Sequence, residues 1–214
     1  MTIRVLLIDD HAVVRDGLTA LLHAQADIEV VGSFGEARDG LRAAEQLLPS
    51  VLILDIAMPR LNGIEAARLF QDRYPEVPIL ILSMYADTEH VYQALRAGAN
   101  GYVLKESAAS EVVTAVRSLH SGGRYMSERI GGWVLDDYLH GRAGDDPLDR
   151  LSARERQVMQ QVVEGRTSAE IAALLNLSPK SVDTYRSRMM TKLAVEDLPS
   201  LVKFAIRHGV TGIE

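Results

Sequence analysis

Over its first 120 residues the chain alternates short apolar runs with amphipathic stretches, and this alternation restricts the fold more than any other feature. Five strand-sized runs stand out: Ile3–Ile8, Ile28–Ser33, Val51–Leu54, Val77–Leu82 and Gly101–Leu104. Helical patterns lie between and after them, near 12–24, 36–48, 63–73, 87–97 and 109–121. A βαβα succession of this kind builds a parallel sheet covered on both faces, with right-handed crossovers. The expected fold class is therefore α/β, a flavodoxin-like five-stranded parallel sheet in the order 2-1-3-4-5. Ligands of such sheets gather at the carboxyl ends of the strands, so the polar residues there deserve the closest reading.

The periodicity breaks at Gly122-Gly123, and Gly141-Arg142-Ala143-Gly144-Asp145-Asp146-Pro147 reads as an acidic, turn-rich linker. Between these points Ile130, Trp133, Val134, Tyr138 and Leu139 give a short amphipathic helix. Four helical patterns follow Pro147, near 153–164, 168–175, 178–193 and 198–208. The expected organisation is a domain over 1–122, a linker over 123–147 and a small all-α four-helix domain over 148–214.

Charge supports the division. The net of −6 argues against nucleic acid at first sight, but residues 1–122 hold 10 Lys/Arg against 16 Asp/Glu, a net of −6. Residues 123–147 hold 3 against 5, and residues 148–214 hold 10 against 8, a net of +2. An acidic front and a mildly basic back are two modules. With no cysteine, disulfides, thiolate metal sites and thiol nucleophiles are excluded. No run approaches the ~18 apolar residues of a membrane span, and the start of the chain does not read as a signal peptide, so a cytoplasmic location is expected.

Several strand ends carry residues that belong together. Asp9 and Asp10 follow the first strand, Asp55 the third, Ser83 the fourth and Lys105 the fifth. In the expected strand order these five side chains crowd one edge. Crowded carboxylates repel one another, and their burial is tolerable only if a cation answers them. A hard, oxygen-seeking ion such as Mg²⁺ (or Mn²⁺), held by Asp10 and Asp55 with water and a backbone carbonyl, would do so, and Lys105 adds a second positive charge. This arrangement suits attack by the Asp55 carboxylate on phosphorus, giving an aspartyl phosphate, with Ser83 free to hydrogen-bond a phosphoryl oxygen. A phosphatase of the haloacid-dehalogenase type would need a second acid two residues after its nucleophile. Ala57 stands there and offers the metal only its backbone carbonyl, so the phosphoaspartate should turn over slowly and no enzyme beyond self-phosphorylation is expected.

Residues 1–122 resemble a response-regulator receiver domain. The resemblance is carried by Leu7-Ile8-Asp9-Asp10-His11, Leu54-Asp55-Ile56-Ala57-Met58-Pro59-Arg60-Leu61-Asn62-Gly63, Ser83, Gly98-Ala99 and Gly101-Tyr102-Val103-Leu104-Lys105. It implies phosphorylation of Asp55 by a sensor histidine kinase, Mg²⁺ at Asp9, Asp10 and Asp55, and a switch in which Ser83 and Tyr102 move together. Tyr102 has a plainer alternative, packing against a neighbouring helix.

In the tail, Ser152 caps a helix with Glu155 three positions on, and Ser178-Pro179 opens another after the tight turn Leu175-Asn176-Leu177. Helix, tight turn and basic helix form a helix-turn-helix over Ser168 to Ser187. Lys180, Arg186, Arg188 and Lys192 stand against Asp183 alone and suit phosphate contacts, while Thr184 and Ser187 can approach base edges. Residues 148–214 resemble a LuxR-type domain of the NarL/FixJ family through Leu151-Ser152-Ala153-Arg154-Glu155, Glu164-Gly165, Glu170-Ile171-Ala172, Leu177-Ser178, Lys180-Ser181-Val182-Asp183-Thr184-Tyr185 and Lys192-Leu193. The resemblance implies a third helix in the DNA major groove, with Asp183, Thr184 and Ser187 facing bases, and pairing of two subunits through Leu198, Val202 and Ile206. Many members carry His where Tyr185 stands, and Asp183 either reads cytosine or turns away. One such domain makes few phosphate contacts, so a homodimer on an inverted repeat of promoter DNA is expected when Asp55 is phosphorylated. A different reading keeps the receiver and makes the tail a protein-interaction module with no role in transcription.

Overall fold

The computed structural model describes residues 2–132, 147–208, 210 and 211, and divides into two compact units, Met1–Arg142 and Ala143–Glu214. In the first unit six strands, β1 (Ile3–Ile8), β2 (Ile28–Phe34), β3 (Val51–Asp55), β4 (Ile79–Ser83), β5 (Gly101–Leu104) and β6 (Tyr125–Met126), pair in the order β2-β1-β3-β4-β5-β6, every pair parallel. The expected order of five is present, and the sixth, two-residue strand extends it past residue 122. The fourth strand starts two residues later than its apolar run. Pro78 has no N–H to give a ladder, and Val77 N is turned back to the Tyr74 carbonyl.

Helices α1 (Ala12–His23), α2 (Ala37–Leu47), α3 (Gly63–Arg73), α4 (Thr88–Arg96) and α5 (Ala108–His120) connect and cover the strands. Successive strand residues point to opposite faces. Leu6, Ile8, Leu52, Leu54, Ile79 and Ile81 therefore pack with Ala44, Phe70 and Val91 of α2, α3 and α4. Val5, Leu7, Ile53, Leu80, Leu82 and Val103 pack with Leu18 and Leu22 of α1 and Val112 and Val116 of α5. Both faces are sealed over β3, β4 and β5, which is why these strands read as nearly unbroken apolar runs, whereas the edge strand β2 is partly exposed.

Register carries the functional positions to one level. Ile8 pairs with Leu54, Asp55 with Leu82 and Ser83 with Leu104, so Asp9 and Lys105 emerge beside Asp55 and Ser83. The loop after Asp55 is then pulled tight onto α3. Asn62 caps that helix through its side chain, which accepts from Glu65 N at 2.8 Å, and Gly63 N donates to the Ile56 carbonyl. A Cβ on Gly63 would lie 1.9 Å from the Asp55 carbonyl oxygen, so only glycine permits this approach.

The second unit holds α6 (Ala153–Val163), α7 (Ser168–Leu175), α8 (Pro179–Leu193) and α9 (Leu198–Arg207), preceded by a 3₁₀ turn, Pro147–Arg150. Ser152 with Glu155 and Thr167 with Glu170 form capping boxes at the starts of α6 and α7. Helix α7 stops on Asn176 in the left-handed conformation (φ 53°), and Ser178 with Pro179 restarts the chain as α8. Leu151, Val158, Ile171, Val182, Met189 and Leu201 close a core of their own. The helix expected around Ile130–Leu139 begins inside the described residues, since 128–132 are helical, but Trp133 and the residues after it to 146 lie outside them.

Candidate functional site: an acidic pocket and a basic helix

Asp55 is 1% exposed, and Asp9 is fully buried beside it. Lys105 Nζ stands 2.7 Å from Asp55 Oδ2 and 2.7 Å from Asp9 Oδ2, with its own side chain only 7% exposed. One lysine thus answers two buried carboxylates. Burial and the neighbouring Asp9 charge push the Asp55 carboxyl up to about 6, against the opposing pull of Lys105. Burial works against the lysine charge, but Asp55 and Asp9 more than offset it and hold Lys105 above its ordinary value.

Asp10 completes the cluster. Neither Asp9 Oδ2 nor Asp10 Oδ1 accepts an aligned hydrogen bond although both atoms are buried; Lys105 Nζ stands 2.7 Å from the first and His11 Nδ1 2.7 Å from the second. Three carboxylates and one ammonium leave the pocket negative, and under-satisfied oxygen donors at this spacing fit a hard divalent cation. The Ala57 amide points into the pocket, its nitrogen donating to Asp55 Oδ1 at 3.3 Å. Two neighbours escaped sequence reasoning. Arg15 Nη1 donates to the Asp9 carbonyl at 2.6 Å, four residues into α1, and the His11 imidazole turns toward the carboxylates.

Ser83 and Tyr102 are both fully buried and both hold Tyr85. Ser83 Oγ accepts from Tyr85 N at 2.9 Å, and the Tyr102 hydroxyl donates to the Tyr85 carbonyl at 2.7 Å. Burial raises the Tyr102 phenol well above its usual range, so it remains a donor. The Tyr85 ring stacks on His90 at 4.2 Å, and His90 is gripped by Asp87, the cap of α4. Tyr102 therefore packs in the core and is tied to the loop after Ser83 at once. Strand β6 rests on the same residue: Tyr102 is in register with Met126, and Ser127 N donates to the Tyr102 carbonyl at 3.0 Å. Ser127 Oγ accepts from Leu104 N and donates to Glu111 at 2.6 Å, and buried Ile130 joins the core cluster that holds Tyr102.

In the second unit, Val182, Met189 and Leu193 turn α8 inward, with Tyr185 packed partly against them. Lys180, Thr184, Ser187 and Arg188 share the exposed side, with Arg186 half-buried at its margin. Asp183, expected at the bases, accepts from Ser168 Oγ at 2.7 Å and ties α8 to α7. Lys192, expected near phosphate, donates to buried Glu155 at 2.6 Å, because the capping-box carboxylate of α6 requires a counter-charge. On α9, Leu201 and Ala205 face the core, while Leu198, 39% exposed, and half-buried Val202 and Ile206 form a stripe at i, i+4, i+8 on another side.

Residues 5–117 match the model of the response regulator receiver domain, and residues 149–205 that of the bacterial regulatory proteins of the luxR family. The chain belongs to the response regulators that carry a LuxR-type DNA-binding domain. The tail's match decides against the interaction-module reading. Curated relatives span nearly the same length. Transcriptional regulatory protein MctR of Rhizobium johnstonii is 37% identical over 97% of this chain and 95% of its own, and LiaR of Bacillus subtilis is 36% identical over 96% and 98%. Among solved structures, the response regulator RcsB of Salmonella typhimurium is similar with a TM-score of 0.68 at 26% identity, covering 97% of this chain and 98% of its own. An RcsB–DNA complex is similar with a TM-score of 0.60 at 26% identity, covering 95% and 98%. This response regulator is a transcriptional regulator by family, and no described helix is long and apolar enough to cross a membrane.

Proposed function

We propose that this response regulator accepts a phosphoryl group on Asp55 from a sensor histidine kinase in the cytoplasm and responds by binding promoter DNA as a homodimer. The observation that carries the reading is Lys105 Nζ, 2.7 Å from both Asp9 and Asp55 inside a buried acidic pocket. An Asp55 carboxylate oxygen attacks phosphorus, the bond from phosphorus to the kinase's imidazole nitrogen breaks, and the electron pair leaves on that nitrogen. Asp9, Asp10, Asp55 and the Ala57 carbonyl would hold Mg²⁺ or Mn²⁺, which supplies neutralisation of the phosphoryl oxygens. Lys105 keeps a second positive charge against those oxygens. Ala57 has no acidic side chain to assist hydrolysis, so the phosphoaspartate persists and the chemistry stays limited to self-phosphorylation and slow loss.

A phosphoryl oxygen on Asp55 gives Ser83 Oγ a charged partner in place of Tyr85 N. The loop then shifts, and Tyr102, tethered to the Tyr85 carbonyl, follows. Because β6 hangs from the Tyr102 backbone, the shift reaches the segment that leads to the tail. At DNA, Lys180, Arg186 and Arg188 contact phosphates while Thr184 and Ser187 reach base edges from the helix-turn-helix Ser168 to Ser187. Leu198, Val202 and Ile206 pair two copies on an inverted repeat.

Incubation with a small phosphodonor and Mg²⁺ yields one acid-stable, base-labile phosphate, absent from Asp55→Asn. Persistence of the label in that variant overturns the assignment.

A further inference from the structure

Resting on the reading of the acidic pocket as a cation site, we infer that His11 is a metal ligand in it and makes the pocket discriminate in favour of borderline divalent transition metals over Mg²⁺. The His11 Nδ1 atom lies 2.7 Å from Asp10 Oδ1, 3.4 Å from Asp9 Oδ1 and 3.9 Å from Asp55 Oδ2. One ligand atom from each of Asp9, Asp10, His11 and Asp55 fits within a 4.8 Å span. An ion about 2.1 Å from each donor spans about 4.2 Å between opposite ones, so the four close on a common centre with movements of a few tenths of an ångström.

The imidazole is held at the pocket mouth by its backbone. His11 N donates to Asp9 Oδ1 at 2.8 Å, its carbonyl accepts from Arg15 N at 3.1 Å, and the Arg15 guanidinium is bonded to the Asp9 carbonyl. The side chain is 61% exposed, so water alone would satisfy it, yet its ring nitrogen is turned back onto three carboxylates. Oxygen donors alone suit Mg²⁺, which keeps its waters and gains little from an imidazole. A nitrogen donor adds affinity for Co²⁺, Ni²⁺ or Zn²⁺, in line with ligand softness and the order of divalent stabilities.

Calorimetric titration of the untagged full-length chain with Mg²⁺ and with Co²⁺, in wild type, His11→Ala and His11→Asn, tests this. Both variants are expected to lose about tenfold or more in Co²⁺ affinity while Mg²⁺ affinity changes by no more than about twofold. The visible absorption of bound Co²⁺ is expected to shift between wild type and His11→Asn, as loss of a nitrogen ligand requires. Equal losses for the two ions, or an unchanged Co²⁺ affinity and spectrum beside normal Mg²⁺ binding, would overturn the role of His11 and leave the pocket intact. Absence of heat with either ion in wild type would overturn the pocket reading itself, and this inference with it.

Discussion

Asp55→Asn should make the metal-free protein more stable at neutral pH. In the folded chain the Asp55 carboxyl titrates at about 6, against 3.8 in the unfolded chain, because burial and Asp9 oppose its charge. A group whose folded value is raised contributes stability that is present in full below its unfolded value and lost as pH rises through the folded one. The raised value thus favours the folded state at pH 3.8 and below, and that gain disappears between about 4 and 6. The difference between 3.8 and about 6 corresponds to roughly 3 kcal/mol. Asparagine keeps the shape and cannot ionise, so in EDTA at pH 8 the variant should gain roughly 3 kcal/mol over wild type, about 10 °C in the melting of the first unit. At pH 4 the two should melt within a degree or two of one another. Adding Mg²⁺ at 100 times its Kd should return about 2.7 kcal/mol to wild type alone and nearly close the gap. Circular dichroism melts across pH 4–8, with and without Mg²⁺, read all of this. A variant no more stable than wild type at pH 8 in EDTA, or an advantage that persists undiminished at pH 4, would refute the argument from buried charge.

Lys105→Ala leaves Asp9 and Asp55 unanswered; Asp55 should still take label from a phosphodonor while DNA affinity no longer responds, as read by fluorescence anisotropy. Gly63→Ala forces a methyl group into the Asp55 carbonyl oxygen and should destabilise the first unit by about 3 kcal/mol, the upper end for overpacking, with slower labelling of Asp55. For residues 148–214 alone, DNA affinity should fall steeply with salt. Lys180→Ala should reduce the slope of log affinity against log salt by about one, whereas Lys192→Ala should act mainly on thermal stability through the Glu155 contact.

The strands and helices were legible because each is written locally. Unbroken runs such as Val51–Leu54 mark strands sealed on both faces, and Ser152 with Glu155 or Ser178 with Pro179 mark helix starts within four residues. The pocket was legible for the same reason, since Asp9, Asp55 and Lys105 each end a strand and the parallel order brings strand ends together. Strand β6 was not, because two residues carry no periodicity. It is secured by Ser127, bonded to Leu104 and Glu111 far away in sequence. Lys192 was seen as charge on a basic helix, but its partner Glu155 is 37 residues distant. His11 showed itself in sequence only as a neighbour of the acid pair, and the direction of its ring is a tertiary fact.

The short sixth strand has one more consequence. A parallel sheet ending at β5 would offer a row of open main-chain donors and acceptors beside Tyr102, the residue proposed to answer phosphorylation. With Tyr125 and Met126 laid along it, that row is filled by the chain itself. Among the described residues, what remains outermost at this end is a border two residues long, too short to recruit a foreign strand. At this end of the sheet, any self-association that follows the proposed switch must be built from side chains, whose identity sequence can tune, and not from the indiscriminate ladder of the peptide backbone.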